Sequence, residues 1–162
     1  MSRTNRSTQA FVIAAAIFTI SGCSSGTADT SKRIPAGEPC DLLTPHEAAD
    51  ILETNRDDIL VEPSDGFQCD YRSESLFSGA NVVRGQDMSK MSTDEQVDIG
   101  EIHGTRLDVG ADTSCGVHVV LDDEDSTQRF STIATGAPST MQKTACEISD
   151  AFAAAILDNL PG

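Results

Sequence analysis

Five cysteines are spread through the 162-residue chain, and their placement constrains its fold more than any other feature. Cys23 ends a short apolar run, whereas Cys40, Cys69, Cys115 and Cys146 fall at wide intervals across the remainder. An even set of cysteines behind an export segment belongs to an oxidising compartment, where it closes as disulfides. No pair has the Cys-x-x-Cys spacing of a zinc knuckle or a dithiol redox motif, so structural bridges are the expectation. Four cysteines allow three connectivities, and spacing alone does not choose among them. The preferred one joins Cys40 to Cys146, which flank two predicted helices, and Cys69 to Cys115, which lie in two predicted strands. The first of these would close a loop of more than 100 residues, worth roughly 4 to 5 kcal/mol by loop entropy.

The amino terminus gives the address. Residues 1–10 are polar and carry Arg3 and Arg6 with no acid, and residues 11–20 are an almost wholly apolar stretch of ten. That is about half of the roughly 20 residues a membrane-spanning helix needs, and it suits the core of a signal peptide. Ile20-Ser21-Gly22-Cys23 resembles the bacterial lipobox, in which an aliphatic residue and two small ones precede the cysteine that takes up a diacylglyceryl group. The resemblance implies cleavage before Cys23 and a lipid anchor on its thiol, holding the protein on the extracytoplasmic face of the cell membrane. The expected organisation is a signal peptide over 1–22, a flexible tether over 23–38 and one domain over 39–162. A loose coil of the tether's length reaches on the order of 20 Å.

Charge narrows the partners. The formal charge of −15 becomes −17 once residues 1–22 are removed, because they hold two arginines and no acid. So acidic a chain is repelled by nucleic acid and by anionic lipid headgroups, so nucleic-acid binding is not expected and the lipid on Cys23 must do the anchoring. The densest acidic run, Asp122-Asp123-Glu124-Asp125, lacks the spaced ligands and central glycine of a calcium loop and reads as a solvated turn. Tryptophan is absent and there is one tyrosine, so the core is light in rings.

Thr44-Pro45-His46-Glu47 opens a helix over 45–52, with Thr44 as cap, Pro45 in the first turn and Glu47 closing a capping box. Residues 53–66 read mostly as loop with a brief strand over 59–61. Strands are expected over 67–71 and 76–84. Residues 91–104 are ambiguous, because Ser92 or Thr93 before Asp94 and Glu95 could start a short helix while Gly100 weakens a long one. Strands follow over 105–109, 115–121 and 129–135, the last two as a hairpin. A second capping box, Thr144-Ala-Cys-Glu147, opens an amphipathic helix that Pro161 stops. The expected fold class is α+β: an antiparallel sheet with an N-terminal short helix and a C-terminal amphipathic helix packed on one face, and two disulfides.

Pro39-Cys40-Asp41-Leu42-Leu43-Thr44, the Cys-x-Tyr at Cys69 and Tyr71, Cys115 opening a strand, Ala145-Cys146-Glu147 in a helix and the final Leu160-Pro161 together resemble actinobacterial lipoproteins of domain-of-unknown-function family 3558. The resemblance covers about 39–161, and the family typically has tryptophan where Tyr71 stands. It implies a cell-envelope location and offers no catalytic residue to carry over.

No enzyme is expected. His46, His103 and His118 form no metal-ligand spacing, and neither a Gly-x-Ser-x-Gly elbow nor a Ser-x-x-Lys motif is present, Ser89-Lys90 having no evident activating base. No catalytic, metal or cofactor-binding residue is assigned and no cofactor is implied. The leading reading is a binding or interaction domain for a small molecule, glycan, lipid or envelope protein. Its cleft would lie between sheet and helices near Leu76, Phe77 and Val82. The alternative is a structural or surface-exposed module without small-ligand binding, and the third class is an unrecognised hydrolase.

Overall fold

A computed structural model describes residues 32–76, 78–110, 113–136 and 141–162. The expected signal peptide, Cys23, the expected tether as far as residue 31, and Phe77 lie outside the described residues. Seven strands form one sheet: β1 (Ile59–Ser64), β2 (Gln68–Ser73), β3 (Ser78–Arg84), β4 (Ser92–Ile99), β5 (Ile102–Leu107), β6 (Ser114–Val120) and β7 (Arg129–Thr135). Their spatial order is β1-β2-β3-β7-β6-β5-β4, and every neighbouring pair is antiparallel. Two meanders, one of three strands and one of four, therefore meet where β3 pairs with β7. Helices α1 (Pro45–Ile51) and α2 (Ala145–Asn159) contribute to the core on one face, as expected for the α+β class.

Period-2 alternation sets the two faces. Cys69 and Tyr71 of β2, Ala80 and Val82 of β3, Val117 and Val119 of β6, and Phe130 and Ala134 of β7 join the core with Ile148, Phe152 and Ile156 of α2. The ring of Tyr71 meets Phe152 edge-on at 5.6 Å between centroids, and its hydroxyl donates to the Leu43 carbonyl at 2.9 Å. Burial, reinforced by the charges of Glu47 and Asp41, pushes that phenol well above its ordinary range. One buried polar pair sits under α2: Thr132 Oγ1 donates to the Ser149 carbonyl at 2.8 Å, and Ser149 Oγ donates to the Thr132 carbonyl at 3.0 Å.

Both capping boxes form. Glu147 N–H donates to Thr144 Oγ1 at 3.2 Å while Thr144 N–H donates to the Glu147 carboxylate at 2.7 Å, and Thr44 with Glu47 does the same at the head of α1. α2 ends because Leu160, held extended before Pro161, leaves the helical region.

The disulfides correct the expected pairing. Cys40 bonds Cys69 and Cys115 bonds Cys146, with Cα separations of 5.1 and 4.8 Å. Cys69 on β2 and Cys115 on β6 are three strand spacings apart, about 14 Å, whereas a bridge needs Cα atoms within about 7 Å. Each helical segment is instead tied to the strand beneath it. The closed loops have separations of 29 and 31 residues, worth roughly 3.5 kcal/mol each by loop entropy rather than one very long closure.

Three further differences have local causes. β1 runs through Pro63 to Ser64, which an edge strand tolerates because no ladder on its outer side needs the missing N–H. Residues 92–99 are the opposite edge strand, β4, with an irregular register between Ser92 and Gln96; exposed along most of its length, it has little apolar periodicity to read. The packed chain also begins before Pro39. Ile34 is buried, its N–H and C=O gripped by the buried Gln128 amide at 2.8 and 3.2 Å. Arg33 N–H donates to the Pro161 carbonyl and Arg84 donates to the carbonyls of Pro35 and Gly37.

Candidate functional site

Among the described residues the outer face of the sheet carries no α-helix, and part of it is covered by the crossover over 85–91, which ends in a 3-10 turn (Ser89–Met91) and leads from β3 to β4. Gly85 N–H donates to the Arg129 carbonyl at 2.9 Å, and Asp108 N–H donates to the Met91 carbonyl at 2.7 Å, so the segment is fastened at both ends. Between those points Asp87 bears electrostatically on Arg129 and His118. His118, Ser131, Val83 and Leu107, all directed to this face by alternation, are buried.

His118 Nδ1 lies 2.8 Å from Ser131 Oγ. Burial first, and the neighbouring Arg129 charge second, hold the imidazole below its ordinary pKa, with Asp87 opposing them. A neutral imidazole beside a serine hydroxyl is the start of a nucleophile, but Ser131 has no exposed surface and His118 has 6%. The pair is closed to substrate and serves to satisfy two polar groups under the crossover.

Beyond the crossover the outer face sinks into a depression of about 580 Å³, within the rough 300 to 1,000 Å³ range of small-molecule sites. Its floor follows from one transverse row of the sheet, in which Leu60 opposes Arg72, Arg72 opposes Gly79, and Gly79 opposes Thr135. Gly79 is the notch in that row. A Cβ there would lie 2.6 Å from the Tyr71 carbonyl oxygen and 3.2 Å from Arg72 Cγ, so nothing larger than hydrogen fits. Asn81 lies one row further along β3, and Thr113 and Gly136 close the end of the site.

The lining residues carry almost no net charge, and the surface they present is more apolar than polar. Arg72 is ion-paired with Glu62, Glu74 stands beside it, and Leu60 gives one apolar wall at 39% exposure. Ser73 Oγ is shared with Thr54 and Ser75 at 3.1 and 3.2 Å. Ser78 is 3% exposed, and among the described residues its Oγ has no hydrogen-bond partner. A buried hydroxyl left unpaired costs about 1 to 3 kcal/mol, so this end of the sheet carries an uncompensated polar group.

The residues singled out from sequence are distributed differently. Val82 is fully buried toward the helices, Leu76 is a half-buried turn residue whose N–H donates to Ser73 Oγ, and the depression lies on the opposite face from the expected cleft. His46 and His103 are exposed, 3.7 Å from Asp50 and 2.7 Å from Asp98. Asp122 and Asp125 organise the β6–β7 turn, accepting from the N–H groups of Glu124 and Thr127 at 2.9 Å each, and Asp122 also pairs with Arg33 at 2.9 Å. Those hydrogen bonds, from the Glu124 backbone at Asp122 and the Thr127 side chain at Asp125, hold both carboxyls below their usual range. Among the described residues no group of three or more His, Cys, Asp or Glu is disposed to hold a metal ion, and no helix is long and apolar enough to cross a membrane.

Gly79 and Asn81 were missed. The available signal was their phase: in Ser78-Gly79-Ala80-Asn81-Val82 the residues alternating with the core pair Ala80 and Val82 are small or polar. Comparison of the chain with protein-family models, with curated proteins and with solved structures gave no match.

Proposed function

We propose that this protein is a cell-envelope lipoprotein, anchored through Cys23 outside the cytoplasmic membrane, whose folded domain binds a small, near-neutral ligand with apolar surface in the outer-face depression. The observation that carries the reading is the depression itself, floored by the transverse row of Arg72, Gly79 and Thr135. Its lining offers hydroxyl and amide groups with one aliphatic wall and almost no net charge, which disfavours a strongly anionic ligand in a protein already heavily negative. Two disulfides support export. The likeness to family 3558 lipoproteins agrees with the location and is silent about the ligand.

The attachment of the tether supports an outward-facing site. Lys32 to Gly37 fasten to the β3 and β6–β7 end of the sheet, through Arg84, Gln128 and Asp122. The depression sits at the other end, beside Thr113 and Thr135. A strand of seven residues separates the two by about 20 Å.

Native mass spectrometry of the protein extracted from its own envelope tests the reading, with a stoichiometric adduct of a few hundred daltons as the expected result. A Thr135→Trp variant, which fills the depression from its rim, should lose that adduct. Repeated absence of any adduct from the wild-type protein sinks the ligand-binding reading in favour of a structural surface module. Anchoring is tested separately: Cys23→Ala should leave the membrane fraction, and a variant that stays bound as tightly as the wild type overturns the lipoprotein assignment.

A further inference from the structure

The two disulfides occupy chemically different places. Cys40–Cys69 joins a three-residue 3-10 turn to β2, with Cys40 half-buried and Cys69 fully buried, a burial pattern that Cys146 and Cys115 share. Asp41 follows Cys40, the charges of Asp41 and Glu47 both bear on Tyr71, two residues from Cys69, and among the described residues no cation is hydrogen-bonded to either sulfur. Thiolates formed there would face carboxylates in an apolar setting, which opposes opening the bridge.

Cys115–Cys146 has a cation on one sulfur. Arg106 Nη1 lies 3.4 Å from Cys115 Sγ and donates to Asp150 Oδ1 at 2.8 Å, so its two hydrogens serve the sulfur and the carboxylate. Nη2 donates to Asp150 Oδ2 at 3.1 Å and Nε lies 3.6 Å from Glu95, which fixes the guanidinium over the bridge. Hydrogen bonding to Asp150 raises the pKa of Arg106, so it stays charged. The other sulfur belongs to the second residue of the 15-residue helix α2, half-buried in the first turn, where the helix terminus favours negative charge and the Glu147 carboxylate of the capping box opposes it.

We propose that Cys115–Cys146 is a thiol–disulfide exchange site whose co-reactant is a dithiol of the envelope, while Cys40–Cys69 is an inert structural bridge. A thiolate of the co-reactant attacks the more accessible Cys146 Sγ, the S–S bond breaks, and its electron pair leaves on Cys115 Sγ as a thiolate facing Arg106. The second thiol of the co-reactant, after losing its proton to water, attacks its partner sulfur in the mixed disulfide and releases Cys146 as a thiolate at the head of α2. The bridge has gained two electrons and the dithiol has become a disulfide. Exchange favours a leaving thiolate of low pKa and an accessible sulfur. The missing Cys-x-x-Cys spacing is no obstacle, because the guanidinium and the helix terminus supply the thiolate stabilisation that such motifs supply locally.

The test equilibrates the mature protein with graded mixtures of reduced and oxidised dithiothreitol, then traps free thiols by alkylation and maps them by peptide mass. Cys115 and Cys146 should be alkylated at a reductant ratio at least tenfold milder than Cys40 and Cys69, a gap of about 30 mV. Arg106→Gln should narrow that gap and Asp150→Asn, which frees the guanidinium, should widen it. A purely structural salt bridge would move the gap in the same direction in both variants. Opening of the two bridges together, opening of Cys40–Cys69 first, or shifts of the same sign in the two variants overturns the proposal.

Discussion

The helix-covered face and the outer face of the sheet are made from the same strands, yet they solve opposite problems. On the covered face large side chains interlock and most polar groups are answered internally, as Thr132 is by Ser149 and Tyr71 by the Leu43 carbonyl, with Ser78 the exception at the sheet's end. On the outer face a crossover seals one part over His118 and Ser131, and the rest stays open around a missing side chain at Gly79. Arg129 Nε is buried there without a hydrogen-bond partner among the described residues. Because the covered face and two disulfides supply the cohesion, the outer face is free to carry unpaired groups and a concavity at modest cost.

The strongest way to break this division is to damage the covered face. Phe152→Ala removes a fully buried ring and its edge-on contact with Tyr71, and should cost about 3 to 5 kcal/mol in urea unfolding. A loss below about 1 kcal/mol would mean that the helix layer is not where stability resides. Tyr71→Phe keeps the ring but strands the Leu43 carbonyl, and should cost about 1 to 2 kcal/mol in the same assay.

This contrast also explains what the sequence revealed. The covered face was legible because burial writes itself as periodicity: Ala80 and Val82 alternate, β7 has the bounds expected for it, and both capping boxes stood in plain view at Thr44 and Thr144. The disulfide partners were not legible, since they depend on which strand lies under each helix, and that follows from the insertion of β7 beside β3. The site was hidden for a related reason. Gly79, Arg72 and Thr135 are separated in sequence and become neighbours only through register, while β4 hid because an exposed edge strand selects for charge and carries little apolar rhythm.

Acid should loosen the sealed part of the outer face before it touches the covered one. Burial keeps His118 neutral, with its folded pKa below the unfolded value of about 6.5. The unfolded chain therefore binds more protons in this range, so stability is fully present above about pH 6.5 and falls as pH drops through and below that value toward the folded pKa. Thermal melts between pH 7.5 and pH 5 should show that decline in the wild type and a flatter profile in His118→Gln. The carboxylates around it, including Asp87, are common to both proteins. Equal slopes would show that His118 is protonated without penalty, and the crossover would then not be the seal that its burial suggests.

The smallest effect on stability should accompany the largest effect on binding. Thr135 is exposed at the end of β7, where a bulky aromatic suits a strand, so Thr135→Trp should change unfolding free energy by less than about 0.5 kcal/mol. Asn81→Leu, half-buried one row away, should be similarly mild because none of the described hydrogen bonds depends on its amide. Both substitutions alter the depression without reaching Phe152, Tyr71 or either bridge. If the two variants unfold like the wild type and lose the co-purifying adduct, recognition belongs to the outer face alone. If either loses stability on the scale of Tyr71→Phe, the open end of the sheet is a packed part of the domain, and the division of labour between the faces fails there.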